Sequence, residues 1–237
     1  MCANYIPVTR SDRLLAFFGV QRARDEPPAD VYPTGLAPFI RLAEDGSGRK
    51  LVDDGAFGLL PHFAKEVAYG RKTYNARSET VHSLPSFRES WLAGRRCIVP
   101  AETIFEVCWE TGEAVRWAIE HPGQVGIAVA GLYRQWRGPG GRDLFSFTML
   151  TVNADGHPIF ARMHRPGEEK RMVVILESDE HDAWLAGTPD EARRFFRPYL
   201  GPLVSHPAPR PKRAPQASSV RTLKPPPPDD EPGLFDA

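Results

Sequence analysis

The sequence predicts an α+β fold, in which a single domain contains a curved, largely antiparallel sheet or barrel with a few flanking helices. The first observation behind this prediction is that β-branched and aromatic runs, separated by Gly, Pro and Asp, fill most of residues 97–176. The second is that helix signals are few and short. The third is an abrupt change of composition near residue 200, after which we expect a disordered C-terminal tail.

The predicted strands follow these apolar runs. They cover residues 97–99, 104–109, 116–120, 126–136, 144–153 and 171–176. Short helices are predicted at residues 86–92, 182–185 and 190–196. A capping box of Ser86 and Glu89 begins the first helix, and Thr188-Pro189 begins the third. Residues 7–61 are rich in turn residues, and the sequence predicts no element there.

Proline content marks the end of the predicted domain. Ten of the 24 prolines lie from Pro202 onward, among Ser, Ala, Lys and Arg, and they include a run of four prolines before an acidic tip. Such a segment cannot bury enough apolar surface to offset the entropy of ordering it. We therefore expect one domain over residues 1–201 and a disordered Pro-rich tail over residues 202–237.

The composition excludes several classes of protein. With 237 residues, 41% hydrophobic and 25% charged, the chain has the balance of a globular domain. Its 30 basic and 30 acidic side chains cancel, so bulk charge does not indicate a polyanionic partner. The three cysteines and seven histidines lack the spacing of a disulfide framework or a metal site, so neither a metal nor a cofactor is expected. The sequence shows no signal peptide or membrane-spanning run, and we expect a cytoplasmic protein with no membrane partner.

Cys2 follows the initiator Met directly, and removal of Met1 is expected because Cys is small. Cys2 would then carry both an α-amine and a thiol, a pair that condenses with an aldehyde to a Schiff base and then to a five-membered thiazolidine ring. An α-amine titrates near ~8 and a thiol near ~8.5, so modest tuning makes both nucleophilic at neutral pH. Many chains begin Met-Cys without such a role, so this interpretation depends on the rest of the sequence.

Three other segments carry polar residues that suit a functional site. Asn75 offers amide donors and an acceptor, and Arg77 offers the planar guanidinium that suits phosphate. Glu106 lies in an apolar stretch, where it either faces solvent or lies in a pocket and transfers protons. His157 and His164 precede a predicted strand and can act as acid or base near neutral pH. A hydrogen-bonded loop, a solvent-facing Glu and surface histidines would explain the same residues without a site.

The order of these segments resembles the SOS response-associated peptidase (SRAP) family, whose members covalently trap abasic sites in single-stranded DNA. The segments are Cys2, then Asn75-Ala76-Arg77-Ser78-Glu79-Thr80, then Arg96-Cys97-Ile98-Val99-Pro100-Ala101 followed by Glu106, then a His ahead of Arg171-Met172. Two more segments match, namely Phe57-Gly58-Leu59-Leu60-Pro61, where the family often has Trp-Gly-Leu-Ile-Pro, and Ala130-Gly131-Leu132-Tyr133. The resemblance covers residues 1–176.

The resemblance implies a catalytic role for four residues. Cys2 is the crosslinking nucleophile, and Asn75 orients its amine and the opened sugar. Glu106 shuttles protons during formation and reversal of the Schiff base, and His164 assists opening of the sugar ring. The implied reaction shields the strand from scission. The implied side activities are those of an abasic-site lyase and a self-processing peptidase.

For DNA binding, the resemblance implies that Arg77 contacts phosphate. Asn4 and Phe57 are further candidate DNA contacts. Ala3-Asn4 stands where the family has Gly-Arg, which removes one expected phosphate contact. The implied partner is single-stranded DNA with abasic sites, and the implied setting is a monomeric, nucleoid-associated protein of the bacterial cytoplasm.

The histidine assignment has two alternatives. The family His usually stands two residues before Arg-Met-Pro, and alignment of Arg171-Met172 with that motif makes His164 its match after five extra residues. Alignment of Arg162-Met163 instead puts Phe160 at the position of the His and leaves His157 as the nearest substitute. We favour His164 because the residues after Arg171-Met172 reproduce the next strand of the family.

Two other functions explain part of the sequence. Glutamine amidotransferases, which are N-terminal-nucleophile hydrolases, also begin at a processed Cys whose amine serves as base, but this reading leaves the later segments unexplained. A non-enzymatic DNA-binding adaptor would use the tail to recruit partners. Residues 231–236 (Glu-Pro-Gly-Leu-Phe-Asp) resemble peptides that dock on replication sliding clamps, although they lack the usual Gln, and a solvated spacer is the favoured interpretation.

Overall fold

A computed structural model describes residues 2–23, 25–27, 29–123 and 125–210 of the chain. The strands are β1 (Asn4–Pro7), β2 (Leu36–Leu42), β3 (Lys50–Phe57), β4 (Asn75–Arg77), β5 (Arg96–Cys108), β6 (Val115–Glu120), β7 (Ile127–Arg137), β8 (Asp143–Asn153), β9 (Arg171–Val173), β10 (Ile175–Leu176) and β11 (Val204–Pro207). The helices are α1 (Ser11–Phe18), α2 (Pro85–Leu92), α3 (His181–Ala186) and α4 (Pro189–Ala192). Short 3₁₀ segments cover Val67–Lys72, Pro139–Gly141, Phe160–Arg162, Ser178–Glu180 and Arg193–Phe195. Within the described ranges, no helix has the length and apolar character needed to span a bilayer.

Five strands close into a barrel. Strands β7, β8, β3, β2 and β5 follow one another around it, and β5 returns to pair with β7. The other strands extend this sheet, with β1 and β6 on β5, β11 on β6, β4 and β9 on β8, and β10 on β7. Among these pairs, only β3 with β8 and β4 with β8 are parallel in the part of the chain that the structure describes. The predicted α+β fold with a curved, largely antiparallel sheet is confirmed.

Aromatic rings form part of the core. Phe57 stacks on Phe147 with the ring centroids 5.6 Å apart, and Phe39 lies 5.6 Å from the same Phe147 ring. All three side chains are fully buried. Because burial of each ring contributes about 1.5–3 kcal/mol, this cluster is a substantial link between β2, β3 and β8.

The longest strand, β5, merges two predicted strands. The prediction separated residues 97–99 from 104–109 at Pro100, because a proline lacks the N–H that a strand interior needs. In the structure Pro100 lies opposite Ala128 of β7, and its carbonyl oxygen accepts a hydrogen bond from Val8 N–H at 3.0 Å. The strand therefore continues past Pro100 because it is paired with β7 on one side and bonded to Val8 on the other.

Residues 7–61 contain elements that the sequence did not predict, among them β3. This strand includes Asp54 and Gly55, which are poor strand formers. Asp54 pairs with Arg22 at 2.6 Å, and a Cβ at Gly55 would lie 2.9 Å from the Phe39 ring. Tertiary contacts, and not local propensity, therefore explain why this segment is a strand.

The two predicted helix starts have different outcomes. The start of α4 at Thr188 is confirmed, because its hydroxyl accepts from Glu191 N–H and the Glu191 carboxylate accepts from Thr188 N–H. The capping box at Ser86 is wrong, because α2 begins at Pro85. Glu89 instead contacts Arg134 at 2.6 Å. A residue with this tertiary partner is not available to cap its own helix.

The folded part of the chain extends past the predicted boundary at residue 201. Strand β11 pairs with β6, with His206 opposite Ala118, and Arg116 Nη1 donates to the Ala208 carbonyl oxygen at 3.2 Å. An edge strand takes its hydrogen bonds from one neighbour only, so a Pro-rich composition does not prevent pairing there. The tail expected over residues 211–237, including the clamp-like segment 231–236, lies outside the described residues.

Gly58 ends β3 with a turn that requires glycine. Its φ is +126°, and a Cβ there would collide with the Gly70 carbonyl oxygen. We expect Gly58→Ala to lower the free energy of unfolding by about 3 kcal/mol, measured by urea unfolding. Gly140→Ala is the matched control, because Gly140 has a φ of +76° but a Cβ there would meet nothing within 4 Å. Equal losses for the two variants would contradict the assignment of the effect to the Gly70 contact.

Candidate functional site

Strand pairing brings Cys2 to the segment of β5 that carries Glu106. In the β1–β5 pair, Asn4 lies opposite Phe105. Cys2 is fully buried, and its Sγ lies 3.5 Å from the Asn4 carbonyl oxygen. The register of β1 and β5 therefore places Cys2 close to Glu106, although the two residues are far apart in the sequence.

The surroundings of the Cys2 thiol favour its neutral form. Burial raises the pKa of the Cys2 thiol well above its usual range, because a thiolate would lose its hydration. The negative charge of Glu106 raises this pKa further. Since the thiolate is the nucleophilic form of cysteine, this sulfur needs a base before it can react.

Asn75 contacts Cys2 from β4. Its Nδ2 donates to the Cys2 carbonyl oxygen at 2.9 Å, and the parallel pairing of Asn75 with Met149 of β8 fixes the position of the residue. Asn75 Oδ1 is buried and has no hydrogen-bond partner among the described residues. A buried acceptor left in this state costs about 1–3 kcal/mol. This oxygen can therefore accept from an amine or a substrate hydroxyl.

Glu106 and His164 form a buried pair. Glu106 Oε2 lies 3.3 Å from His164 Nε2, and only 3% and 10% of the two side chains, respectively, are exposed. The next residue on β5, Val107, is 40% exposed. The sequence left open whether the Glu106 side chain faces solvent or lies in a pocket, and in the structure it points into the interior. A carboxylate next to an imidazole is suited to proton transfer.

His157 has a different environment. Its Nδ1 accepts hydrogen bonds from the backbone N–H groups of Ile159 and Phe160 at 3.1 Å and 3.2 Å. Its Nε2 lies 2.7 Å from the Tyr199 carbonyl oxygen, so the proton of the ring is on Nε2. Both nitrogens thus have backbone partners, which is typical of a structural histidine. Of the two candidate histidines, His164 is the one that contacts Glu106.

Arg77 lies at the surface beside a network of charges. Its side chain is 47% exposed, and its Nη1 lies 2.7 Å from Glu169 Oε2. The other oxygen of Glu169 contacts the buried Arg171 at 2.6 Å, and Arg171 also binds Glu79 through both of its terminal nitrogens. A phosphate at Arg77 would therefore compete with Glu169.

Two predicted DNA contacts have other roles in the structure. Phe57 is fully buried in the aromatic core, so its ring is not on a surface that DNA can reach. The Asn4 side chain is engaged within the protein, because its Oδ1 accepts from Arg116 at 2.8 Å and 3.0 Å and its Nδ2 donates to the Val31 carbonyl oxygen at 3.3 Å. The prediction for Phe57 failed because sequence does not show which face of a strand is buried, whereas a DNA contact at Asn4 stays a prediction.

Sequence reasoning also missed Arg116, which lies on β6. Its guanidinium covers the Phe105 ring at 3.3 Å from the centroid and donates to Asp30 at 2.8 Å. It lines a cleft of about 520 Å³ together with Asn4, Tyr32 and Phe105. The sequence showed that Asn4 stands where the family has Arg. It did not show that Arg116, from another strand, would place a guanidinium beside Asn4.

Two further arginines flank His164, and each lies over a tryptophan of the β5–β6 hairpin. Arg162 is 5.0 Å from the Trp117 ring centroid, and Arg165 is 4.8 Å from that of Trp109. Guanidinium and indole planes are the groups on which unpaired bases stack. In the described ranges, no group of three or more His, Cys, Asp or Glu side chains could hold a metal ion.

Comparison with known proteins identifies relatives of this chain. A model of the SOS response associated peptidase (SRAP) family matches residues 1–210, a range that includes β11. The abasic site processing protein YoqW of Bacillus subtilis is 29% identical over 209 residues, which cover 84% of this chain and 88% of that protein. The abasic site processing protein HMCES of Gallus gallus is 30% identical over 210 residues, which cover 76% of this chain and 60% of that protein.

The fold is shared with solved structures. A crystal structure of a protein from Bordetella bronchiseptica has a TM-score of 0.79 at 33% identity and covers 87% of this chain and 99% of its own. A protein from Bacteroides thetaiotaomicron has a TM-score of 0.73 at 22% identity, over 87% of this chain and 91% of its own. The second likeness is one of fold alone.

Proposed function

Because the chain belongs to the SOS response associated peptidase family, we propose that it traps abasic sites in single-stranded DNA through a covalent bond to Cys2. The related YoqW and HMCES proteins are named for abasic site processing. The proposal rests on one observation, the convergence of Cys2, Asn75, Glu106 and His164 from four separate segments of the chain. The amine and the thiol of Cys2 are the groups that form a thiazolidine with an aldehyde, and the acid–base pair and the amide of Asn75 are suited to assist that reaction.

The first step is attack of the Cys2 α-amine, once Met1 has been removed, on C1′ of the ring-opened abasic sugar. The nitrogen lone pair forms the C–N bond, and the C1′ oxygen takes up protons and leaves as water, which gives an iminium. Glu106 and His164, 3.3 Å apart, supply the protons that this oxygen receives and accept those that the amine gives up. Asn75 orients the nucleophile through its hydrogen bond to the Cys2 carbonyl.

The second step closes the ring. The Cys2 thiol gives its proton to Glu106, and the sulfur lone pair adds to C1′, which converts the iminium into a neutral thiazolidine. The net change over both steps is the loss of one water from protein and aldehyde. Because burial and the charge of Glu106 raise the pKa of the Cys2 thiol, the amine reacts first and the sulfur reacts only when a base takes its proton.

The ring also determines what happens to the DNA strand. An iminium at C1′ makes the C2′ protons acidic and allows β-elimination of the 3′ phosphate, which cuts the strand. The thiazolidine has no iminium, so the strand stays intact. Lyase activity is therefore the side reaction of this site when ring closure fails. The peptidase activity that we assign to the same site is the removal of Met1.

Single-stranded DNA suits this site because a sugar without its base is accessible there without unpairing. Arg77 lies two residues from Asn75 and is half exposed, which supports a phosphate contact near the crosslink. The Arg162–Trp117 and Arg165–Trp109 pairs beside His164 offer planar surfaces for the neighbouring bases.

The test is incubation with a single-stranded oligonucleotide that contains one abasic site, followed by heating and a denaturing gel. We expect a heat-stable adduct whose intact mass equals the protein without Met1 plus the oligonucleotide minus one water. The same oligonucleotide without the lesion should give none. An adduct at a residue other than Cys2, or no adduct, would contradict the proposal. Release of ammonia from glutamine without DNA would instead support the N-terminal-nucleophile alternative.

The two histidines should differ in the same assay. His164→Ala should slow adduct formation by about 10²-fold, because it removes one member of the acid–base pair. His157→Ala should change the rate less than about threefold below its melting temperature, because His157 bonds only to backbone groups in the structure. Its loss should appear as a lower melting temperature. The reverse ranking of rates would show that the alignment across the extra residues is wrong.

A further inference from the structure

Lys170 closes the loop that carries His164. Its Nζ donates to three successive carbonyl oxygens, those of Met163 at 2.8 Å, His164 at 3.0 Å and Arg165 at 2.9 Å. An ammonium group has three donors, so each one has a partner here. Residues 163–170 therefore form a loop whose two ends are joined by one side chain.

The backbone of His164 needs such support because its conformation is unfavourable. Its φ is +64°, in the left-handed region, which costs a residue other than glycine about 1–2 kcal/mol. Its N–H donates to the Val107 carbonyl oxygen at 2.8 Å, and a β-bridge joins Met163 to Cys108. The residue is thus held by β5 through its N–H and by Lys170 through its carbonyl.

Building on the proposed function, we infer that Lys170 is a positioning residue that keeps the His164 ring against Glu106. The Nε2–Oε2 separation of 3.3 Å depends on the left-handed turn at His164, and the three hydrogen bonds from Lys170 stabilise that turn. Displacement of a catalytic group by ~1 Å lowers a rate by about 10²-fold. The extra residues between His164 and Arg171 therefore stabilise the position of His164 in the site.

The first test compares lysine variants in the adduct assay. Lys170→Met keeps the length of the side chain but removes all three donors, and we expect adduct formation to slow by about 10-fold or more. Lys170→Arg keeps the charge but replaces three converging donors with a planar fork, so an intermediate rate is expected. Lys65→Met is the control, because Lys65 is exposed. Equal rates for the Lys170→Met and Lys65→Met proteins would overturn the inference.

A double-mutant cycle with His164→Ala separates positioning from a general structural effect. If Lys170 acts through His164, Lys170→Met should change the rate less than about twofold in the His164→Ala protein. If the two losses multiply, Lys170 acts elsewhere and the inference fails. All four proteins are assayed below their melting temperatures. If Lys170→Met does not fold, the cycle is run with Lys170→Arg under the same criteria.

Amide hydrogen exchange gives a readout that needs no DNA. Lys170→Met should speed exchange of the His164 amide, which bonds to the Val107 carbonyl, while the Ile159 amide beside His157 stays unchanged. Unchanged exchange at His164 would overturn the inference even if the wild-type protein forms the adduct. Failure of the wild-type protein to form the adduct would count against the proposed function instead.

Discussion

Cys2→Ala is expected to abolish the heat-stable adduct and to leave noncovalent binding of single-stranded DNA in place. The thiazolidine needs both the amine and the sulfur of one residue, and Ala keeps only the amine. The reaction should then stop at the iminium, so the fraction of cut strand should rise as the adduct disappears. The measurements are adduct and scission yields on a denaturing gel and DNA binding by fluorescence anisotropy at fixed ionic strength.

Cys108→Ala is the matched control, because Cys108 is also a buried, free cysteine and lies on the strand that carries Glu106. We expect it to form the adduct at a rate close to wild type. Acetylation of the α-amine of the wild-type protein should be as damaging as Cys2→Ala, since it removes the first nucleophile. A Cys2→Ala protein that crosslinks as stably as wild type would refute the assignment of Cys2.

Glu106→Gln is expected to slow adduct formation by about 10²–10⁴-fold, the range typical of general acid–base residues. A slower rate and a faster rate for Glu106→Gln would have different causes. The charge of Glu106 raises the pKa of the Cys2 thiol, so its removal alone would ease deprotonation of the sulfur and speed ring closure. A slower reaction therefore reports the loss of proton transfer. Single-turnover kinetics across a range of pH would measure it.

Glu102→Gln and Glu110→Gln are the controls on either side of Glu106. Glu102 lies 3.3 Å from Arg13, and Glu110 lies 3.5 Å from Arg162, so each carboxylate has an ordinary ion-pair partner. We expect changes of less than about threefold for both variants. Similar, small effects at all three positions would mean that Glu106 stabilises the fold and does not transfer protons.

The sequence predicted a curved sheet or barrel because β-branched and aromatic runs separated by Gly, Pro and Asp are typical of strands. It did not predict β3, whose Asp54 and Gly55 suit a strand only because Arg22 and the Phe39 ring lie beside them. Tertiary contacts also explain why the predicted domain boundary at residue 201 lies too early in the chain. The pairing of β11 with β6 is a contact between segments far apart in the chain, and composition within residues 202–210 carries no sign of it.

For the candidate site, the order of motifs identified side chains that the structure brings together, but it did not show which side chains are buried. The residues placed together by the structure include Cys2, Asn75 and Glu106. Phe57 was expected at a surface and is in the core, because sequence does not show which side of a strand end is buried. The three hydrogen bonds of Lys170 could not be predicted from the sequence, since its partners are backbone oxygens that any residues could supply.

The burial of the Cys2 sulfur has a consequence for the lifetime of the protein under oxidative conditions. Peroxides attack thiolates and not thiols, so a cysteine whose pKa is raised is slow to enter the series from sulfenic to sulfonic acid. Bulk oxidants are also kept away from a side chain with no exposed surface. Under the proposed function, the sulfur would thereby stay reduced until the Cys2 amine has reacted with an aldehyde.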